Sequence, residues 1–174
     1  GMVPLFFPLR VHPGETDRIE IIVASEQTAG VPFHLQIIVR DEAGHIKTDY
    51  VGTVHIRAPE DREPVEREVI FGLEDQGQKE VQGITLHTSG EQRIEADDEP
   101  LQPAETGVRS SALVRVAPSL PRALRFSRQP KTLVLAGALV RSAQEEAIAV
   151  EVIDAWENRV DNLAAELRIT MSLQ

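Results

Sequence analysis

The side chains best suited to metal binding or acid–base chemistry in this 174-residue chain are five histidines and a scatter of carboxylates, since it contains no cysteine. That absence removes thiol nucleophiles, thiolate metal sites and disulfides together. Strand alternation sends His34 and His87 outward, where they would form a surface metal pair only if their strands were neighbours. An outward histidine is ordinarily just solvated, and that reading is preferred for both, as for His12, His45 and His55. Asp97, Asp98 and Glu99 offer carboxylate oxygens for calcium. They lack the glycine-punctuated alternation of a dedicated calcium loop, so they are expected to form a solvated turn. Glu145 and Glu146 are paired only by adjacency, whereas glycosidase carboxylates face each other across a cleft. The sequence contains no G-x-S-x-G, H-E-x-x-H, G-x-x-x-x-G-K-[ST] or G-x-G-x-x-G. No residue is therefore assigned a catalytic, cofactor-binding or metal-binding role, and the chain is not expected to be an enzyme in itself.

Two carboxylates nevertheless recur in context. Asp41 lies in IIVRDEAGHIK (37–47) and Asp154 in VEVIDAWENRV (150–160), each after an alternating apolar run and before a turn. An Asp at a turn start accepts hydrogen bonds from backbone N–H groups two residues on, which gives both residues a structural role. Gly44 and Asn158 belong to the same two turns. Trp156, the only tryptophan, sits inside the second; it either covers the end of a sandwich or serves as a contact anchor.

The elements that position these turns read as strands. Alternation marks 17–23, 33–40, 53–57, 81–87, 92–96 and 111–116, separated by turn-forming clusters such as DEAG, APEDREP, TSGE and DDEPLQP. Six short strands at this spacing fit a β-sandwich of about 100 residues. Pro118 and Pro121 then bracket a short stiff connector. A second series follows at 123–126, 148–153 and 166–172. The rival for 142–156 is a helix, because Ala, Glu and Gln are frequent there, but β-branched residues alternate from Ile148 onward and favour a strand. Residues 140–147 are read as a loop or a short helical turn.

The two motifs align at a constant offset of 113 residues. Leu35, Ile37, Val39 and Asp41 match Ile148, Val150, Val152 and Asp154; beyond the turn, Val54 and Ile56 match Leu167 and Ile169. A shared period slightly above one hundred predicts two copies of one β-sandwich. In unit one the residues are TAGVPF, VRDEAGH and YVGTVHI; in unit two they are VLAGA and VIDAWENRV. This pattern resembles bacterial immunoglobulin-like repeats of the invasin and filamin types. It departs from theirs at His45, where Asn is usual, and at Glu157, where Gly is usual. The second departure matters because that turn position often takes positive φ, which Gly adopts without strain.

The resulting expectation is an all-β chain of tandem immunoglobulin-like sandwiches, the second partial. Its parts are an extension over 1–16, a sandwich over 17–117 and a partial unit over 121–174. The resemblance implies a non-catalytic binding or spacer module making protein–protein or interdomain contacts. The alternative is an accessory region at the front of a larger enzyme, similar to repeats that precede metal-dependent hydrolase-like domains. No cofactor is implied. The second unit is too short for a sandwich, so a longer parent chain, a second copy in trans or a fold-back of Pro4–Val11 would complete it. The first combined with the third is favoured. Partners are then protein, either the chain itself or the rest of a parent, through open strand edges.

Composition bounds the rest. A net charge of −10 opposes nucleic acid and anionic membrane surfaces. With 41% apolar and 4% aromatic residues, the core must be built from aliphatic side chains. No apolar run approaches the ~20 residues that span a bilayer. The N-terminal apolar stretch, with Phe6 and Phe7, is interrupted by Pro4 and Pro8 and is not read as a secretory signal. The family resemblance leans towards an extracytoplasmic location.

Overall fold

The computed structural model describes residues 16–99, 108–129 and 147–161, with positions 142 and 144. The architecture is all-β, and the one helical element among the described residues is a 3₁₀ turn at Leu73–Asp75. Ten strands are present among the described residues: β1 (Thr16–Ile22), β2 (Glu26–Thr28), β3 (Phe33–Asp41), β4 (Gly52–Ala58), β5 (Val65–Phe71), β6 (Gln78–Ile84), β7 (Gly90–Glu99), β8 (Arg109–Ala117), β9 (Ala123–Arg128) and β10 (Ala149–Ile153).

The first eight strands make two sheets, ordered β1-β3-β6 and β2-β8-β7-β4-β5. All neighbours are antiparallel except β2 and β8, which run parallel. Alternation decides which side chains meet between the sheets. Ile19, Leu35, Ile37, Val39 and Ile84 come from one inner face. Val54, Ile56, Val69, Phe71, Ile94, Ala96, Val114 and Val116 come from the other, and all of these belong to one buried cluster. The outer face of the larger sheet carries charge instead: Arg57 stands opposite Glu66 on β5 and Glu95 on β7, and pairs with Asp97.

The structure departs from the sequence expectations at four places in this body. β5 has no counterpart among the expected strands, because VEREVIF carries three charged residues in succession; it is an edge strand, where charge is tolerated and discourages further pairing. β2 is three residues long and owes its extended form to β8 beside it. Asp97, Asp98 and Glu99 are not a turn but the last residues of β7. Asp98 accepts a 2.5 Å hydrogen bond from the Tyr50 hydroxyl. Burial, reinforced by that carboxylate, raises the Tyr50 pKa far above its ordinary value. Finally, β6 ends at Ile84 rather than continuing through His87, and His87 is buried, not outward.

β9 and β10 form a separate two-stranded antiparallel sheet. Its register repeats that of β1 and β3: Ile19 pairs with Val39 and Ile21 with Ile37, while Leu124 pairs with Val152 and Phe126 with Val150. Burial differs sharply. Ile19 is 2% exposed under the larger sheet, whereas Leu124 is 49% and Phe126 48% exposed. The strand expected at 166–172, the fold-back of Pro4–Val11, Phe6 and Phe7, His12 and the Glu145–Glu146 pair lie outside the described residues.

Candidate functional site

The two Asp turns have the same backbone. Asp41 N–H donates to His45 O at 2.9 Å and Asp154 N–H to Asn158 O at 2.9 Å. Lys47 N–H reaches Val39 O and Val160 N–H reaches Val152 O, both at 2.9 Å. Each Asp Oδ1 accepts from the backbone N–H four residues on, at 2.8 Å from His45 and 2.9 Å from Asn158. Gly44 has φ 82° and Glu157, its counterpart, φ 62°. The carboxylate thus takes up the donors that a tight turn strands, which is why the chain places Asp at both starts.

What differs between the turns is what they touch. Ala43 and His45 occupy the first, and the His45 side chain is 76% exposed. In the second, Trp156 and Asn158 stand at those positions and meet the end of the eight-strand sandwich. The Trp156 indole packs on the His87 ring with centroids 4.0 Å apart. It also lies over Gly30, where a Cβ would overlap Nε1 and stand 2.8 Å from Cε2. Asn158 uses both halves of its amide: Nδ2 donates to His87 O at 2.7 Å, and Oδ1 accepts from Ser89 N–H at 2.9 Å. Arg62 donates to the carbonyl of Trp156 and lies 3.7 Å from the Glu157 carboxylate.

Two buried carboxylates organise the two sides of this joint. Asp154 Oδ2 accepts from Ser119 N–H and from Asn158 Nδ2, each at 2.9 Å, and its Oδ1 from Trp156 N–H at 2.8 Å. Asp61 accepts from the N–H groups of His87 at 2.8 Å and Thr88 at 2.7 Å, with His87 Nδ1 3.3 Å from its other oxygen. Burial pushes both pKa values up. It is outweighed at Asp61 by the Thr88, His87 and Glu63 backbone donors, and at Asp154 by the Asn158 amide with the Ser119, Asn158 and Trp156 backbone donors. Both carboxyls are therefore held below their ordinary range.

Asp41, Gly44, Asp154 and Asn158 lie in the turns where the sequence puts them, and Trp156 is half-buried at the joint. Asp61, Arg62, Gly30 and Ser119 carry no expected role in the sequence, and His87 is expected there only as an outward, solvated histidine. The only signals were the Asp after Pro in APED and the Gly of TAG. His34 and His55 lie on β3 and β4, and His34 and His87 do not form a pair on neighbouring strands. Among the described residues, no three His, Cys, Asp or Glu side chains are grouped to hold a metal. A shallow groove of about 510 Å³ is lined by His55, Ile56, Arg57, Glu66, Arg67 and Glu68, most of them ionic side chains. No helix among the described residues is long and apolar enough to cross a membrane.

No protein-family model matches the chain, and no curated protein matches it. Among solved structures, three forms of superoxide reductase (neelaredoxin) from Ignicoccus hospitalis match with TM-scores of 0.44, 0.43 and 0.43. Each is 16% identical, and the match covers 59% of this chain and 82% of the other. These matches correct the expected function: the solved chains resembling this one are superoxide reductases, not non-catalytic immunoglobulin-like binding or spacer modules. Their low identity and TM-scores carry no activity over to this chain.

Proposed function

We propose that this chain acts as an assembling β-protein, in which another polypeptide, a second copy of the chain, covers the open face of the β9–β10 sheet. One observation carries the reading. Leu124 and Phe126 hold the register positions of Ile19 and Ile21, yet each stays about half exposed where Ile19 is 2% exposed. A two-stranded sheet is marginal in water by itself, and an open apolar face with unpaired edges attracts further strands. The finer fold assignment belongs to the same proposal. The order β1-β3-β6 over β2-β8-β7-β4-β5, with β2 parallel to β8, supports an immunoglobulin-like sandwich, and the repeated Asp turn supports a tandem second unit. The extracytoplasmic leaning of such repeats enters only with it.

The test is size-exclusion chromatography with light scattering on the full chain across concentration and salt. A dimer is expected, strengthening with salt because two copies of net charge −10 repel each other. Leu124→Ser with Phe126→Ser should return a monomer whose far-ultraviolet circular dichroism is unchanged. A wild-type chain that stays monomeric at high concentration and salt refutes the proposal.

A further inference from the structure

The joint at Trp156 differs in kind from the sandwich it sits on. Among the described residues, no ladder connects the β9–β10 sheet to either larger sheet. Among the described residues 147–161, apart from the connector around Ser119, the contacts with the sandwich come from one hairpin tip: the Trp156 ring, the Asn158 amide, and the Trp156 carbonyl and Glu157 carboxylate that face Arg62. On the sandwich side the socket is held without the hairpin. Asp61 fixes His87 and Thr88 through its own hydrogen bonds, and Gly30 N–H is bound to Leu86 O at 2.8 Å. On the hairpin side the fold does not depend on Trp156, because the Asp41 turn has the same backbone bonds with Ala43 in that place.

Both surfaces are thus preformed, and separating them breaks side-chain contacts without opening a strand pair. His87 O and Ser89 N lie in a turn at the sandwich end, where water can replace the Asn158 amide. We propose that the Trp156 hairpin is a releasable latch. Closed, it fixes the direction in which the β9–β10 sheet leaves the sandwich; open, it leaves that sheet swinging on the 118–122 connector with both units folded. The Asp41 turn, with Ala43 and His45 in place of Trp156 and Asn158, is the unlatched version of the same hairpin.

The experiment converts one hairpin into the other in the full chain. Trp156→Ala with Asn158→His gives the second turn the residues of the first at both contact positions, and Arg62→Ala alters only the socket side. Trypsin cleavage after Arg122 and amide hydrogen exchange read the result. The latch expects cleavage to accelerate at least tenfold in the double variant and by a smaller factor in Arg62→Ala, with exchange in β3, β4 and β7 unchanged in both. Faster exchange in those core strands of the Arg62→Ala chain would make the joint part of the sandwich core and overturn the latch. So would unchanged cleavage after Arg122. If the double variant does not fold, Arg62→Ala decides alone. The oligomeric state plays no part in the readout, so failure of the latch and failure of the assembly proposal are separable.

Discussion

The two Asp turns allow a reciprocal test of backbone strain. Glu157 adopts φ 62° where Gly44, in the twin turn, has φ 82°. A left-handed residue with a Cβ costs about 1–2 kcal/mol relative to glycine. The greater freedom of glycine in the unfolded chain returns roughly 0.4–1 kcal/mol of that. Losing the Glu157 carboxylate costs little, because it stands 3.7 Å from Arg62 and 3.9 Å from Arg125 and is 65% exposed, and such pairs contribute a few tenths of a kcal/mol at most. Glu157→Gly should therefore stabilise the second hairpin by about 0.5–1 kcal/mol. Gly44→Ala should destabilise the sandwich by a similar amount. An added Cβ there meets nothing nearer than an Arg18 guanidinium nitrogen at 3.7 Å, so conformation rather than crowding sets the effect. The sole tryptophan lies in the second hairpin, so its fluorescence in urea reads Glu157→Gly, and circular dichroism of the sandwich reads Gly44→Ala. With urea slopes of about 1–3 kcal/mol/M, midpoint shifts of a few tenths of a molar are expected. A Glu157→Gly chain no more stable than wild type, or a neutral Gly44→Ala, would refute the shared-strain argument.

Core depth separates the two large sheets from the β9–β10 sheet in a second comparison. Ile37→Ala, at a fully buried position, should cost about 3–4 kcal/mol, whereas Leu124→Ala, half exposed, should cost about 1 kcal/mol or less in dilute chain by urea denaturation. The carboxylates of the joint fix an acid limb. Both Asp61 and Asp154 have depressed folded pKa values, so their contribution is complete above the unfolded carboxylate value near 3.9. It is lost as pH falls below that through the folded values. Trp156 fluorescence between pH 6 and 2 should show this transition, and Asp154→Asn should remove the Asp154 part. Gly30→Ala should expel the indole, because its Cβ overlaps Trp156 and the backbone there has φ +75°. A red-shifted emission and a loss of at least about 0.5–1 kcal/mol are expected, the latter from the backbone conformation alone.

How far each element could be read from the sequence follows from where its stabilising contacts come from. β3 and β4 announce themselves because apolar side chains recur at every second position while the alternate positions, Ile38 apart, are polar, the pattern that half-burial imposes. The Asp turns were legible because a side chain at a turn start acts on its own neighbours, so the signal is local. β5 was hidden because an edge strand is free to carry Glu66, Arg67 and Glu68. β2 was hidden because three residues have no period. The end of β7 looked like a turn because its acidic residues reach partners remote in sequence: Asp98 meets Tyr50 and Asp97 meets Arg57. His87 misled for the same reason. Alternation extended past Ile84 sent it outward, but Asp61, 26 residues away, holds its turn at the sandwich end.

The joint was the least legible part, although half of it lies within the motif that stood out first. Recurrence singles out what two copies share, here the Asp and the turn geometry, and those features make the hairpin fold. What makes the second hairpin bind is what it does not share with the first: Trp156 against Ala43, and Asn158 against His45. The partners of that hairpin tip, Gly30, Arg62, His87 and Ser89, come from three loops that only the sheet order brings together. A repeated turn whose variable positions turn from small and solvated to aromatic and amide is therefore a hairpin recruited for contact. In this chain the difference between the two turns, rather than their likeness, marks the contact positions.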